Sequence, residues 1–484
     1  MDRSRRFIGV FLLAMLNLSV MTSLRNLPIV AEYGFASAFL YLFVALVFLF
    51  PAALISAELA TGWNRTGGVY IWVREAFGAG WGFYAIWMQW IHNVTWFPAI
   101  LSFSATALAY LIQVWLGDEY GFAENKIYLI SFILIGFWGF TIFNYFGLKN
   151  SSWFSAVGVI AGTILPGILL IVLAIFWLAQ GEPPQIQFSF KALIPPLDNI
   201  QNLVFLTGLF LAFGGLEVSA AHAREVKDPQ KTFPRAVLIA GLVSLILYVA
   251  GALSIAIMIP KEHISLISGL MAAFELFLTH FKVGWLLIPV GLMIILGAVG
   301  ELNAWIIGPV RALHATTKHG DLPPFFQKLN QHGMPANLLF FQALIVTIVS
   351  FVFLFMPSAS SAFWILSAIS AQIYLVMYVL MFLAAIKLRY SHADVPRTYR
   401  IPYKMPGIWF VGTLGALSST FAFLMGFIPP GQLQVGNLIF YECFLIGGIF
   451  FMSLIPYLIY RFRDPSWHPE LDPDINHPNQ DLHS

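Results

Sequence analysis

Residues 211–236 read LAFGGLEVSAAHAREVKDPQKTFPRA, an apolar run that stops short at Gly214-Gly215, meets Glu217 at once and then turns charged. A second broken run lies near the N-terminus, where residues 18–34 read LSVMTSLRNLPIVAEYG and carry Arg25 and then Pro28. A charge at membrane depth costs at least about 3 kcal/mol, so it faces a cavity or a partner. Paired interruptions in the two halves of a membrane protein are the sequence mark of a binding site built from discontinuous helices.

The composition sets the solvent. Of 484 residues, 59% are hydrophobic and 10% charged, where a soluble chain carries about 25% charged residues. One crossing needs roughly 20 apolar residues. Runs of that kind are expected at about 7–31, 36–61, 82–116, 126–146, 151–180, 198–221, 234–259, 283–313, 337–356, 360–388, 406–428 and 436–460. The fold class is therefore all-α and multi-pass, with about 12 transmembrane helices. The first apolar run continues past any small-residue cleavage pattern and reads as a span rather than a cleaved signal.

Lys and Arg decide the orientation. With the N-terminus inside, 20 of the 25 fall on the cytoplasmic side and 4 (Lys126, Lys191, Lys261, Lys282) outside, leaving Arg25 within a span. That asymmetry predicts cytoplasmic N- and C-termini and an even number of spans. The 181–197 loop, with four prolines, is expected outside, and 260–282 to lie as a short helix over the outer face. The tail 461–484 is expected to be disordered and cytoplasmic. Residues 1–460 form one transmembrane domain in this reading. A first repeat covers about 7–180 and a second about 198–388, inverted because each holds five spans, and two extra helices follow at about 406–460.

Several chemistries are missing. There is no phosphate loop of the G-x-x-x-x-G-K-[ST] kind, no H-E-x-x-H motif and only one cysteine, Cys443, so ATP hydrolysis by this chain, a cysteine-based metal site and a disulfide are not expected. No catalytic constellation, metal or cofactor is expected, and the net charge of +2 says nothing about nucleic acid. Gradient-driven transport remains the leading class.

The candidate site residues follow from the breaks. An interrupted helix frees backbone N–H and C=O groups for which lipid offers no partner. Half-helix N-termini attract a carboxylate and free carbonyls attract an ammonium. Thr22, Ser23 and Leu24 would supply these groups in the first break, and Phe213, Gly214 and Gly215 in the second. Gly-Gly can also be a packing notch. Glu217 is the candidate coupling or gating carboxylate, or a structural acceptor for the unwound first span. Glu301 is a second intramembrane carboxylate, with Trp305 four residues on and on the same helix face. Trp305 is a candidate gate, and equally a packed core indole. Arg25 pairs with Glu217 or Glu301, meets a substrate carboxylate, or sits in an outer vestibule. His92 is a candidate proton-sensitive group because an imidazole titrates near neutrality, although a lone histidine in a span is more often structural.

Three segments together resemble the amino acid–polyamine–organocation superfamily of transporters: AELATGWNRTGGVYIWVREAFG (57–78), FGGLEVSAAHAREVKDPQKTFPRA (213–236) and GELNAWIIGPVRALHATTKHGDLPPFFQKLNQHGMP (300–335). Within it the chain is most similar to the bacterial glutamate/γ-aminobutyrate antiporter group. The resemblance implies a five-plus-five inverted repeat with discontinuous helices 1 and 6, alternating access, and an amino acid bound among spans 1, 3, 6, 8 and 10. It implies a bacterial inner-membrane amino acid antiporter, a monomer or homodimer that exchanges one amino acid for another or for an amine, with protons as further partners. A proton-coupled amino acid or polyamine symporter of the same fold is the alternative, and a non-transporting amino acid sensor a remote one. Two departures stand out. Thr22-Ser23-Leu24 replaces the superfamily's glycine-rich turn, and Arg25 follows it. The tail is also short for a vestibule plug.

Overall fold

The computed structural model describes residues 8–63, 67–116, 122–147, 157–195, 199–218, 226–431 and 433–468. Among these, twelve helices are long and apolar enough to cross a membrane. Spans 1 to 6 are Val10–Ala31, Ala36–Gly62, Ala79–Gln113, Lys126–Tyr145, Val157–Ala179 and Ile200–Val218. Spans 7 to 12 are Lys231–Met258, Gly284–His319, Ala336–Phe355, Ala359–Ser391, Lys404–Met425 and Leu438–Arg461. The expected runs and the observed helices agree span for span. The chain is a multi-pass membrane protein, since only helices satisfy their own backbone in lipid.

Burial sorts the spans. Spans 3, 6 and 10 are the most enclosed, whereas only 11% of span 12's apolar window is buried, so its remaining face is left to lipid. Span 10 packs on span 3 and span 11, and span 3 on span 8. Small residues let some helices touch backbone to backbone. Span 5 carries a π-helical turn at Ile160–Ile164. Within it, a methyl group on Gly162 would fall 2.1 Å from Gly297 N on span 8.

Two features escape a hydropathy reading. A short amphipathic helix, Val69–Phe77, precedes span 3 and doubles back on it. Gly67 and Gly68 before it and Gly78 after it all have positive φ, conformations that glycine takes without a Cβ penalty. The helix lies so close to span 3 that a Cβ on Gly82 would sit 2.8 Å from Tyr70 O. Glu58 is buried near the end of span 2. It receives Arg389 Nε at 2.5 Å, Arg389 Nη2 at 2.6 Å and the Ile401 backbone N–H at 2.8 Å. Spans 2 and 10 and the connection to span 11 are thereby tied at one point.

The 260–282 connection contains the helix Gly269–His280. After span 12, a turn at Pro465–Trp467 packs on the connection following span 8, with Gln327 Nε2 donating to Trp467 O at 2.7 Å. Of the tail 461–484, expected to be disordered, residues 461–468 are described and include this turn, and 469–484 lie outside the described residues, as does the 219–225 continuation of the second break.

Candidate functional site

Span 1 runs as an α-helix over Val10–Met21, then leaves helical geometry at Thr22 (φ −96, ψ 112) and Ser23 (φ −131, ψ 125). It resumes as a 3-10 turn at Leu24–Asn26 and a helix at Leu27–Ala31. Span 6 runs as an α-helix over Leu206–Ala212 and stops at Phe213. Gly215 has φ 115, a left-handed conformation suited to glycine. Both expected breaks are therefore present, in the first and sixth spans.

The breaks touch each other. A Cβ on Gly215 would lie 3.2 Å from Val20 O, and one on Gly214 only 2.6 Å from the Tyr374 ring. The Gly-Gly pair is thus a close-approach device between spans 6, 1 and 10. Tyr248 on span 7 joins the two: its hydroxyl accepts from Ser23 N at 3.0 Å and lies 2.7 Å from Met21 O and 3.1 Å from Ala212 O. Thr22 Oγ1 meets Ser244 Oγ, also on span 7. Some of the backbone groups freed by unwinding are therefore held by side chains, as a waterless surrounding demands.

Glu217 is buried one turn past the glycines. Its Oε1 accepts from Tyr374 and, at 2.9 Å, from Gln89 Nε2, and its Oε2 accepts from Tyr378 at 2.5 Å. Tyr378 in turn accepts from Gly215 N at 2.8 Å. The glutamate thus binds spans 3 and 10 to the break of span 6, rather than the unwound backbone of span 1. On its other side a cavity of about 10 Å³, bounded by Gly67, Gly68 and Gly308 among others, is about the size of one water probe.

Arg25 is 1% exposed. Its guanidinium lies over the Trp96 ring at 5.1 Å and the Phe363 ring at 5.7 Å. Glu301 is the carboxylate that acts on it, and Arg25 and Ser23 are the groups that act on Glu301. Of the two expected carboxylate partners, Glu301 is the one whose charge reaches Arg25, although no ion pair within 4.0 Å joins them among the described residues. Arg25 Nε and Nη1 are buried without a hydrogen-bond partner among the described residues. A buried donor left unmade costs about 1–3 kcal/mol, so the arrangement is primed for an acceptor.

The Trp305 indole N–H donates to Val20 O at 2.9 Å, near the end of span 1's first half. His92 stacks on Tyr374 with ring centroids 3.9 Å apart and stands edge-on to Trp305 at 5.3 Å. Its Nδ1 has no partner. All eleven expected residues thus fall in one buried region, in two adjoining groups. Arg25, Ser23, Glu301 and Trp96 form one; Glu217, Tyr374, Tyr378 and Gln89 form the other. Trp305 and His92 lie between them. Sequence reasoning missed Tyr248, Gln89, Tyr374 and Tyr378. The last two had a signal, tyrosines four apart on one face of an apolar helix.

The profile of the amino acid permease family matches residues 8–450. An uncharacterized transporter of Legionella pneumophila is 40% identical over 464 residues, covering 96% of this chain and 98% of the relative. A glutamate/gamma-aminobutyrate antiporter of Lactococcus lactis is 30% identical over 476 residues, covering 97% and 93%. A probable agmatine/putrescine antiporter of Lactococcus lactis is 25% identical over 374 residues, covering 77% of each. With a profile that runs nearly end to end and relatives aligned over almost its whole length, the chain belongs to the amino acid permease family.

Proposed function

We propose that the protein is an amino acid antiporter of a bacterial inner membrane, with both termini in the cytoplasm, exchanging an acidic or neutral amino acid by alternating access. The observation that carries this reading is Arg25: a buried guanidinium with two open N–H groups, set between two aromatic rings beside the broken backbone of span 1. A carboxylate fits those donors in the paired geometry that guanidinium favours. An ammonium fits the freed carbonyls near Met21 and Ala212. The relatives named as antiporters support exchange over one-way flux, and the 20-to-4 division of Lys and Arg supports the orientation.

In this mechanism Glu217 holds the break of span 6 to spans 3 and 10, and Trp305 holds the end of span 1's first half. Moving span 1 or span 6 requires those bonds to exchange. Binding that satisfies Arg25 and the break carbonyls would shift the balance between the two arrangements through its differential contacts. The reading divides residues 7–180 and 198–388 into inverted repeats, with 406–460 outside them.

Counterflow in proteoliposomes tests it. Radiolabelled L-glutamate outside should accumulate when unlabelled glutamate or γ-aminobutyrate is inside, and stay near background in empty vesicles. Uptake into empty vesicles driven by an imposed proton gradient would favour symport, for which the buried carboxylates Glu217 and Glu301 argue. Binding without flux under either condition would leave only a sensor.

A further inference from the structure

On the face opposite the N-terminus, a cavity of about 690 Å³ opens between the end of span 1, the start of span 6 and the connection after span 7. That volume lies within the range of small-molecule sites, about 300–1,000 Å³. The cavity stands apart from the Arg25 region. Phe205, in its wall, packs edge-on to Trp364 with centroids 4.6 Å apart, and Phe363, next along span 10, covers Arg25. A run of aromatic contacts therefore leads from the cavity wall towards Arg25.

Opposite charges line the cavity. Glu32, just past span 1, is largely buried, and Lys261, from the connection after span 7, is the opposite charge acting on it. Among the described residues Lys261 is otherwise held by an exposed pairing with Glu262 at 3.9 Å, a contact worth little in water. The Tyr33 hydroxyl, also in the lining, is buried beside the Phe205 backbone and lacks a hydrogen bond of good geometry. The wall thus offers a carboxylate, an ammonium and an unsatisfied hydroxyl within one small volume.

We propose that this cavity is a second binding site for an amino acid zwitterion, its ammonium received by Glu32 and its carboxylate by Lys261, from which substrate passes through the Phe205–Trp364 layer to Arg25. The proposal rests on the antiporter reading and adds a loading station to it. Arg25 stands in the turn that begins the second half of span 1 and Glu32 caps its end, seven residues on, so the two sites lie along one short segment, about 10 Å apart in rise. Their charges are opposite, which favours a zwitterion that turns as it descends.

Burial pushes the Glu32 carboxyl up to about 8 against the pull of Lys261, with Glu262 adding to the rise. The titratable groups facing it are Lys261, Glu262 and Tyr33; Gln185, Asn202 and Ser360 complete the polar lining without titrating. An arriving ammonium favours the ionised form, so uptake from this face should strengthen as pH rises towards about 8.

Side-specific exchange kinetics test the proposal, using L-glutamate and γ-aminobutyrate as probes with full-length protein in vesicles of known orientation. At a pH of about 8.5, where Glu32 is mostly ionised, Glu32→Gln and Lys261→Met should each raise the apparent KM from the cavity face about tenfold, the loss of one charge-assisted bond. The KM from the opposite face should be unchanged. Glu32→Asp should recover part of the loss. An unchanged KM in both variants, or an equal rise on both faces, would overturn the proposal. If wild-type protein exchanges normally while these variants also do, only the loading site falls. If wild-type protein exchanges no amino acid, the antiporter reading falls and takes the site with it.

Discussion

Replacing Arg25 by Met should separate recognition of a substrate carboxylate from everything else the side chain does. Methionine nearly preserves length and apolar volume, so the space between Trp96 and Phe363 stays filled. Two donors, Nε and Nη1, are open for substrate. A hydrogen bond to a charged group is worth about 1.5–3 kcal/mol, so losing two removes at least about 3 kcal/mol, roughly a hundredfold in affinity. The cation–π contacts with the two rings add about 1 kcal/mol or more to folding, and Glu301 loses the charge acting on it. Yield should therefore fall, and the Arg25→Met/Glu301→Gln double variant should recover it. The assay is counterflow in proteoliposomes with two probes, L-glutamate and putrescine, the latter lacking a carboxylate. The apparent KM for glutamate should rise about a hundredfold while that for putrescine, where it is exchanged at all, changes little. A glutamate KM within about twofold of wild type would refute the assignment, and so would an equal rise for both probes.

Three further outcomes are expected. Glu217→Gln inserts normally but exchanges at least about tenfold more slowly, because an amide cannot accept from Gln89, Tyr374 and Tyr378 without turning one donor away, a penalty of roughly 1–3 kcal/mol; wild-type flux with an unchanged pH profile would remove it from the mechanism. Gly162→Ala places a Cβ 2.1 Å from Gly297 N, where ordinary contact begins at 3.4 Å, so spans 5 and 8 must separate by about 1.3 Å; thermal unfolding in detergent should show a loss of about 1–3 kcal/mol, and an unchanged midpoint would contradict the packing. Burial pushes the Asp321 carboxyl up to about 6, while Arg463, 3.5 Å away, pulls it down; docking of the 463–468 turn therefore favours the ionised form and should weaken as pH falls through about 6. A spin label at position 466 in a Cys443→Ser background should gain mobility over that window, with Asp321→Asn mobile throughout; a spectrum constant from pH 8 to 5 would show that the pair does not hold the turn.

The span count was legible because lipid makes apolar length an almost sufficient signal. Both breaks were legible because each coincided with residues a continuous apolar helix does not carry: Arg25 and Pro28 in one, Gly214-Gly215 and Glu217 in the other. Their partners were not. Tyr248 lies 225 residues from Ser23, and Tyr374 lies 157 from Glu217. The spacing of Tyr374 and Tyr378 put them on one helix face, but nothing local named the partner they would meet. Trp305 was recognised as a site residue, but its bond to Val20 O depends on a contact across 285 positions. The helix Val69–Phe77 escaped because it is too short and too amphipathic for a hydropathy window, although its flanking glycines announced the turns around it. The loading cavity was also invisible, since Glu32 and Lys261 come together only when the connections after spans 1 and 7 fold over the same opening.

The Tyr248 hydroxyl carries one proton and stands within reach of two carbonyls, Met21 O and Ala212 O. A hydroxyl donates a single hydrogen, so it can serve only one of these at a time. Spans 1 and 6 thus compete for one proton, and satisfying either strands the other. Any movement of span 1 against span 6 therefore changes how this one hydrogen is shared, which ties the two broken helices to a single side chain of span 7.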